Sequence, residues 1–154
     1  MKSLPELQQY ISSKIPSIAI TVEGNSLIIP KEGWIQVAEF LKNDPELKLD
    51  YLSSVTGVDY KEYLEGVYHL YSVAKPSGQL AIKVRTTDAG NKIPSVTPIW
   101  RSAEYQEREA YDLVGIHFEG HPDLRRILMW EGFEHHPLRK DYVQEDQDRS
   151  PEQF

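Results

Sequence analysis

The feature that most constrains this sequence is an acidic residue in the middle of a helical apolar stripe. On a helical wheel, Glu107 falls within the stripe of the segment 98–114, which otherwise consists of Trp100, Ala103, Ala110, Tyr111 and Val114. A buried carboxylate needs a cation or several N–H donors, because an unpaired one is strongly unfavourable or takes up a proton. We therefore expect Glu107 to be buried and paired, with a cation from Arg125, Arg126 or Arg139 or from another chain.

The same helix carries a ladder of charges beside the stripe. Glu104, Arg108 and Asp112 follow one another at i, i+4 and i+8, so Arg108 can reach an acid one turn away on either side. Surface ladders of this kind contribute only about 0.3 to 0.5 kcal/mol per pair. The helix should end at Gly115, which can adopt the left-handed conformation of a C-terminal cap.

A short internal sequence repeat follows the helix. The run 118–122 (FEGHP) returns as 133–137 (FEHHP), and each copy continues into Leu and basic residues, at 124–126 (LRR) and 138–140 (LRK). A proline favours extended backbone in the preceding residue, so both His-Pro steps predict turns or extended chain. Arg and aromatic residues are enriched in interfaces. The range 115–142 is therefore predicted to be an extended, partner-binding arm, with inter-chain ion pairs from Arg125, Arg126, Arg139 and Lys140.

The order of these residues also resembles that of a known protein family. The order E-R-E at 107–109 with Asp112, then GIHF at 115–118, GHPDLRRIL at 120–128 and HPLRKDY at 136–142, closely resembles the 30 kDa subunit of NADH:quinone oxidoreductase, respiratory complex I. The dense part of the match covers about a third of the chain. His135 and Val143 depart from the family pattern, which usually has Gly and Pro at these positions.

The resemblance implies a function within a complex. It implies a non-redox structural subunit of the hydrophilic arm of a proton-translocating NADH:quinone oxidoreductase, peripheral on the cytoplasmic side of the inner membrane. Its partners would be the quinone-site (49 kDa type) subunit and the iron–sulfur subunits, which would hold the iron–sulfur clusters, flavin and quinone. Partner contacts and structural roles are expected for the motif residues, which are Glu107, Arg108, Glu109, Asp112, His121, Pro122, Arg125, Arg126, His136, Pro137, Arg139, Lys140 and Asp141.

Composition narrows the function independently of the resemblance. The net charge of −7 and pI near 5.2 argue against nucleic-acid binding. The chain contains no cysteine, so it has no thiolate to ligate an iron–sulfur cluster or zinc. The sequence lacks the apolar run of a signal peptide and any stretch of about 20 apolar residues, so contact with a membrane is expected only through partners.

The remaining pattern predicts an α+β fold, a two-layer α/β sandwich with a mainly antiparallel five-stranded sheet and helices on one face. A capping box at 3–6 opens the first helix, and the second helix buries Trp34, Val37, Ala38 and Leu41. Strands are predicted at 18–22, 27–29, 51–58, 67–74 and 80–86, and a polar linker at 88–97. The predicted divisions are a core at 1–114 that includes the motif helix 98–114, the arm at 115–142, and an acidic tail at 143–154 that is disordered alone.

Two other functions remain open. The chain could be the equivalent subunit of a membrane-bound hydrogenase or formate hydrogenlyase, since the difference lies in neighbouring chains. A hydrolase could use a metal at the histidine cluster, but the spacing matches no known ligand helix, and turn-stabilising hydrogen bonds or interface contacts are the favoured roles of these histidines. The candidate ligands of that cluster are His117, His121, His135 and His136 with Glu109, Asp112 and Asp123.

Overall fold

The computed structural model describes residues 2–75, 78–86 and 89–143, so the tail beyond residue 143 lies outside the described residues. The helices are α1 (Leu4–Lys14), α2 (Trp34–Asn43) and α3 (Ala103–Val114). The strands are β1 (Thr21–Glu23), β2 (Ser26–Ile29), β3 (Tyr51–Asp59), β4 (Leu64–Tyr71), β5 (Leu80–Arg85), β6 (Lys92–Pro94) and β7 (His117–Glu119). Within these ranges, no helix combines the length and apolar character needed to span a membrane.

A five-stranded sheet in the order β1-β2-β5-β4-β3 forms the centre of the fold. Among the described pairings of this sheet, β2–β5 alone is parallel and the other three are antiparallel, so the prediction of a mainly antiparallel sheet is confirmed. Alternation in β5 buries Leu80, Ile82 and Val84 and leaves Lys83 and Arg85 on the other face. The buried face packs against α1 and α2, which gives the predicted two-layer α+β sandwich.

The first two helices form for the predicted reasons. Ser3 and Glu6 make the reciprocal capping box at the start of α1, which buries Leu7 and Ile11. In α2, Trp34 and Leu41 lie on the buried stripe, and Trp34 packs against Tyr68 of β4 with ring centroids 4.7 Å apart. The helix ends where Asp44 precedes Pro45.

The prediction of a strand at 18–22 is wrong over most of its length. Ile18 and Ile20 are buried, but they lie in the loop before β1. Ile18 fills the space over Gly33, where an added Cβ would come within 2.6 Å of its side chain. The Ile20 carbonyl accepts a hydrogen bond from the Gln8 side chain instead of from a neighbouring strand. Alternating burial therefore arose here from loop packing and not from a sheet.

The bounds of β4, which ends at Tyr71 and not at residue 74, and the start of the motif helix also differ from the predictions. Strand β4 begins at Leu64 and not at residue 67, because Tyr60 N donates to Tyr63 O and closes a short turn after β3. The motif helix begins at Ala103 and not at residue 98. Trp100 lies in the preceding turn, where its indole N–H donates to Leu49 O.

The segment predicted as a polar linker is partly core. It contains β6, which pairs in parallel with β7 and buries Ile93 beside Phe118. The arm residues Ile116 and Phe118 are thus packed in the core, while the division of the chain at residue 115 stays a prediction.

Helix α3 covers the edge strand β3. Gln106 accepts a hydrogen bond from Val55 N at 2.8 Å, and Ser102 donates to Leu52 O at 3.0 Å. Gly57 of β3 allows the close approach, because an added Cβ would lie 3.2 Å from Val114. An edge strand with open N–H and C=O groups is thereby protected from pairing with another chain, and α3 gains a fixed position.

Candidate functional site

Glu107 is fully buried, as predicted, but its predicted pairing with a cation is wrong. Three groups in the segment that directly follows β6 donate to its carboxylate: Ser95 Oγ at 2.5 Å, Val96 N at 2.8 Å and Thr97 Oγ1 at 3.1 Å. Sequence reasoning misses these donors because the polar composition of the segment 88–97 predicts a solvated linker. Glu107 therefore ties the turn before α3 to the helix itself.

Burial raises the pKa of Glu107 above its ordinary value of 4.5, although the Ser95, Val96 and Thr97 donors oppose the shift. A carboxylate with a raised pKa is a candidate general acid or base. Its complete burial and its engagement by three protein donors keep it away from any substrate. The geometry therefore assigns Glu107 a structural role.

We expect Glu107→Gln to change the free energy of unfolding by less than about 1 kcal/mol, because no cation is left unpaired and the amide can keep its hydrogen bonds. Glu107→Leu removes the acceptor and should cost about 2 to 3 kcal/mol. Since the folded pKa is raised, the stability contributed by the protonated form is present below 4.5 and is lost as pH rises through the folded pKa. In urea denaturation, the stability of the Gln variant relative to wild type should therefore increase as pH rises above 4.5, because only the wild-type side chain titrates. A loss of about 3 kcal/mol or more at neutral pH would indicate a cationic partner.

The charge ladder on α3 is not a surface ladder. Arg108 and Asp112 are both buried, and Arg108 donates to the carbonyls of Arg125 and Arg126 at 3.2 and 3.0 Å. The guanidinium thus binds the backbone of the arm, whereas the helical spacing predicts ion pairs with the acids one turn away. Helical spacing shows which side chains can meet, but it does not show what covers them.

Asp112 is the first of two buried carboxylates that anchor the arm. It is 0% exposed, and its Oδ2 accepts three successive backbone N–H groups, from Ile127, Leu128 and Met129, at 2.7 to 3.0 Å. Its Oδ1 forms an ion pair with Arg126 at 2.6 Å. Burial opposes ionisation, but the Met129 N–H, the Arg126 guanidinium and the other two N–H groups outweigh it and hold the pKa below its ordinary value.

Asp59, at the end of β3, is the second anchor. It accepts hydrogen bonds from Lys140 N at 2.8 Å and from Lys61 N at 2.7 Å, and Arg139 Nε lies 3.4 Å from its Oδ2. These donors outweigh the opposing effect of burial and lower its pKa. The sequence analysis did not predict this residue. The only available signal was a lone acid at the end of a strand, and such acids usually lie in solvated turns.

The two copies of the internal sequence repeat make the same kinds of contact with the rest of the chain. His121 Nε2 donates to Glu104 O and His136 Nδ1 to Asp112 O, each at 2.9 Å, so both His-Pro steps are fixed to backbone carbonyls of α3. Each copy then places an Arg and the following backbone N–H group on a buried carboxylate. Arg126 and Arg139 therefore form ion pairs within the chain, and their inter-chain ion pairs stay a prediction.

Gly115 lies under His136 where α3 ends. Its φ is +89°, and an added Cβ would lie 2.8 Å from the imidazole. We expect Gly115→Ala to lower the free energy of unfolding by about 2 to 3 kcal/mol through backbone strain and steric overlap. Gly132 has the same φ but open space around it, so Gly132→Ala should cost only about 1 to 2 kcal/mol. Equal losses in the two variants, measured by urea denaturation, would show that the His136 contact contributes nothing.

The remaining motif residues lie at the surface. Arg125 pairs with Asp123, Lys140 lies over the Tyr60 ring, and Asp141 is 3.5 Å from Arg139. Glu109 lines a groove between α3 and β3 that Leu138 also borders. Pro122 is exposed and Pro137 half-buried in their turns. Their roles in partner contacts stay predictions.

The proposed histidine metal cluster is not assembled. Within residues 2–75, 78–86 and 89–143, no three His, Cys, Asp or Glu side chains come together as a group that could hold a metal ion. His121 and His136 instead bind backbone carbonyls at different turns of α3. The described geometry therefore gives the metal-hydrolase hypothesis no support.

The tip of the arm exposes large apolar side chains. Leu128 is 62% exposed and Trp130 is 59% exposed. Leu128 belongs to the segment 127–129 that Asp112 binds, and Trp130 follows that segment directly. Trp130 packs edge-on against Phe133, with ring centroids 4.7 Å apart. A firmly anchored segment that presents aromatic and aliphatic side chains to solvent has the composition of an interface hot spot.

A family model described as the 30 Kd subunit of the respiratory-chain NADH dehydrogenase matches residues 27–148. The chain belongs to this family. The match spans most of the sandwich, α3 and the whole arm, so both carboxylate anchors lie within the region that defines the family.

Curated relatives agree with the family assignment. The chain is 50% identical over 117 residues to an NADH-quinone oxidoreductase subunit of Rhizobium meliloti, and the match covers 74% of this chain and 63% of the relative. It is 48% identical over 124 residues to an NADH-quinone oxidoreductase subunit of Chlorobium phaeobacteroides, covering 77% and 73%. The chain thus spans less than two thirds of the length of the Rhizobium relative.

Two solved structures share the fold. A trypsin-resistant fragment (1–134) of Nqo5 is 29% identical and superimposes with a TM-score of 0.62, covering 80% of this chain and all of that fragment. A chain of the membrane-bound sulfane sulfur reductase, an archaeal respiratory membrane complex, superimposes with a TM-score of 0.71 at 22% identity, covering 97% and 99%. The second likeness shows the fold alone.

Proposed function

We propose that this chain is a non-redox structural subunit in the hydrophilic arm of a complex I type NADH:quinone oxidoreductase. The observation that carries the proposal is the anchored arm. The family's motif residues Asp112, Arg126 and His136 fix an exposed apolar tip to the sandwich, which is a device for binding another protein.

The proposed partners are the quinone-site (49 kDa type) subunit and the iron–sulfur subunits. In this proposal the flavin, the iron–sulfur clusters and the quinone belong to those chains, and electron transfer and proton translocation are activities of the whole complex. The chain would sit on the cytoplasmic side of the inner membrane and reach the membrane only through partners. The environment of Glu107 supports a structural role for the chain. Its raised pKa would suit a general acid or base, but the side chain is fully buried.

Isolation of the tagged chain from its own cells in a mild detergent tests the proposal. We expect iron–sulfur, flavin and quinone-site subunits to co-purify in fixed ratio and to be identified by mass spectrometry. Recovery of the chain alone would contradict the proposal. Recovery with nickel–iron hydrogenase subunits would replace it with the hydrogenase alternative.

A further inference from the structure

The tip of the arm contains a cavity with four ring-bearing side chains among its lining residues. The cavity measures about 270 Å³, and Trp130, Phe133, His135 and Tyr142 lie around it together with Glu134, Gly132 and Val143. Phe133 is central, with ring centroids 4.7 Å from Trp130 and 6.2 Å from Tyr142. His135 stands nearly perpendicular to Phe133 at 6.0 Å. Aromatic faces gathered in this way attract cations through the negative potential of their rings.

The charges around the cavity favour the same kind of ligand. Glu134 lines the cavity, and Glu131 follows Trp130 in the chain. Both residues are exposed, and neither forms an ion pair with another described residue. The nearby Arg126 lies 5.5 Å from the Phe133 ring, but its charge is compensated by the buried carboxylate of Asp112. Arg139 is likewise held by Asp59 and Asp141. These two cations of the arm are thus engaged by buried or neighbouring acids, whereas Glu131 and Glu134 have no cationic partner within the described part of the chain.

The cavity is also held in shape before any partner arrives. The three N–H groups of residues 127–129 are fixed on Asp112, immediately before Trp130 in the chain. On the far side, Tyr142 N donates to Arg139 O, next to the Asp59 anchor. Both walls are therefore tied to buried carboxylates, which lowers the ordering cost of binding.

We propose that this aromatic cavity binds an Arg or Lys side chain on the surface of a partner protein. The cation would lie against Trp130, Phe133 and Tyr142, and Glu134 would neutralise it. An anionic membrane surface is a poor alternative, because the acids at the tip would be repelled by it. The inference rests on the proposed function, since it names the chemistry by which the arm meets its neighbour.

Four variants of the tagged chain, assayed in the intact complex, test the cavity. Trp130→Phe keeps an aromatic face and should retain assembly, whereas Trp130→Leu keeps apolar bulk without that face and should reduce incorporation about tenfold. Glu134→Lys should reduce it at least about tenfold, because it places a like charge against the partner's cation. Glu39→Lys makes the same charge change on the exposed face of α2 and should leave incorporation unchanged.

The amount of each variant is measured by quantitative mass spectrometry relative to an iron–sulfur subunit that co-purifies. Normal incorporation of Trp130→Leu and Glu134→Lys in a complex that forms would overturn the cation site and leave the proposed function standing. Loss with Glu134→Lys but not with Trp130→Leu would reduce the site to a simple ion pair and overturn the aromatic contribution. Failure of the wild-type chain to co-purify with any other chain would instead overturn the proposed function.

Discussion

Asp112→Ala is expected to lower the free energy of unfolding by about 3 to 5 kcal/mol, because it removes one member of a buried ion pair and leaves the other charge uncompensated. The substitution also leaves the N–H groups of residues 127–129 without their acceptor. Urea denaturation followed by circular dichroism measures the loss. We further expect residues 126–130 to become accessible to limited proteolysis, since the carboxylate is what holds them on α3.

Asp123→Ala is the matched control for this prediction. Asp123 lies on the same arm and also pairs with an Arg, but the Asp123–Arg125 pair is solvent-exposed, so its loss should cost less than about 1 kcal/mol. The pKa of Asp112 is depressed, so its contribution is present above the ordinary value of 3.8 and is lost as pH falls through the folded pKa. The difference between wild type and Asp112→Ala should therefore shrink at strongly acidic pH. A difference that does not shrink there, or equal losses for Asp112→Ala and Asp123→Ala, would contradict the anchor.

Asp59→Ala should have the second large effect, again about 3 to 5 kcal/mol. Asp59 is almost fully buried, and its removal leaves two backbone donors, Lys61 N and Lys140 N, and the Arg139 guanidinium without a carboxylate. The loss should loosen the end of the arm around Tyr142. Urea denaturation gives the change in stability, and hydrogen exchange of the segment 138–142 shows where the structure opens.

Asp141→Ala provides a control that shares the same partner. Asp141 lies 3.5 Å from Arg139 Nε, at nearly the same distance as Asp59, but its side chain is 77% exposed. The distance to the guanidinium is thus matched, while burial and backbone donors differ. We expect a loss below about 1 kcal/mol. A comparable loss in Asp59→Ala and Asp141→Ala would show that the Arg139 charge matters more than the buried donors.

The sequence predicted the sandwich well where burial follows a simple period. The stripe of α2, the alternation of β5 and the end of α3 at Gly115 were readable because one periodic face or one special backbone conformation decides each of them. The segment around Ile18 shows the limit of the method. Its alternation imitates a strand, but the partner of Ile18 is Gly33, and no local pattern indicates that contact.

The sequence identified the residues of the site but not the groups that they bind. Glu107, Asp112 and Arg126 were all identified, yet each binds something other than its expected partner. Asp112 accepts backbone N–H groups from 15 to 17 positions away, and backbone donors carry no residue-type signal in a sequence. The sequence reasoning matched acids with basic side chains, because side chains are the only groups that a sequence distinguishes. The anchors became visible only when the path of the arm over α3 was known.

Hydrogen–deuterium exchange of the chain, free and within its complex, tests most directly whether the anchored arm is the surface that meets a partner. We expect the free chain to exchange slowly at residues 127–129, because Asp112 already binds those N–H groups, and faster in the following residues of the tip. Assembly should then add protection mainly within 130–143. Unchanged exchange of the arm on assembly, with new protection confined to the sheet or to α1 and α2, would contradict this account.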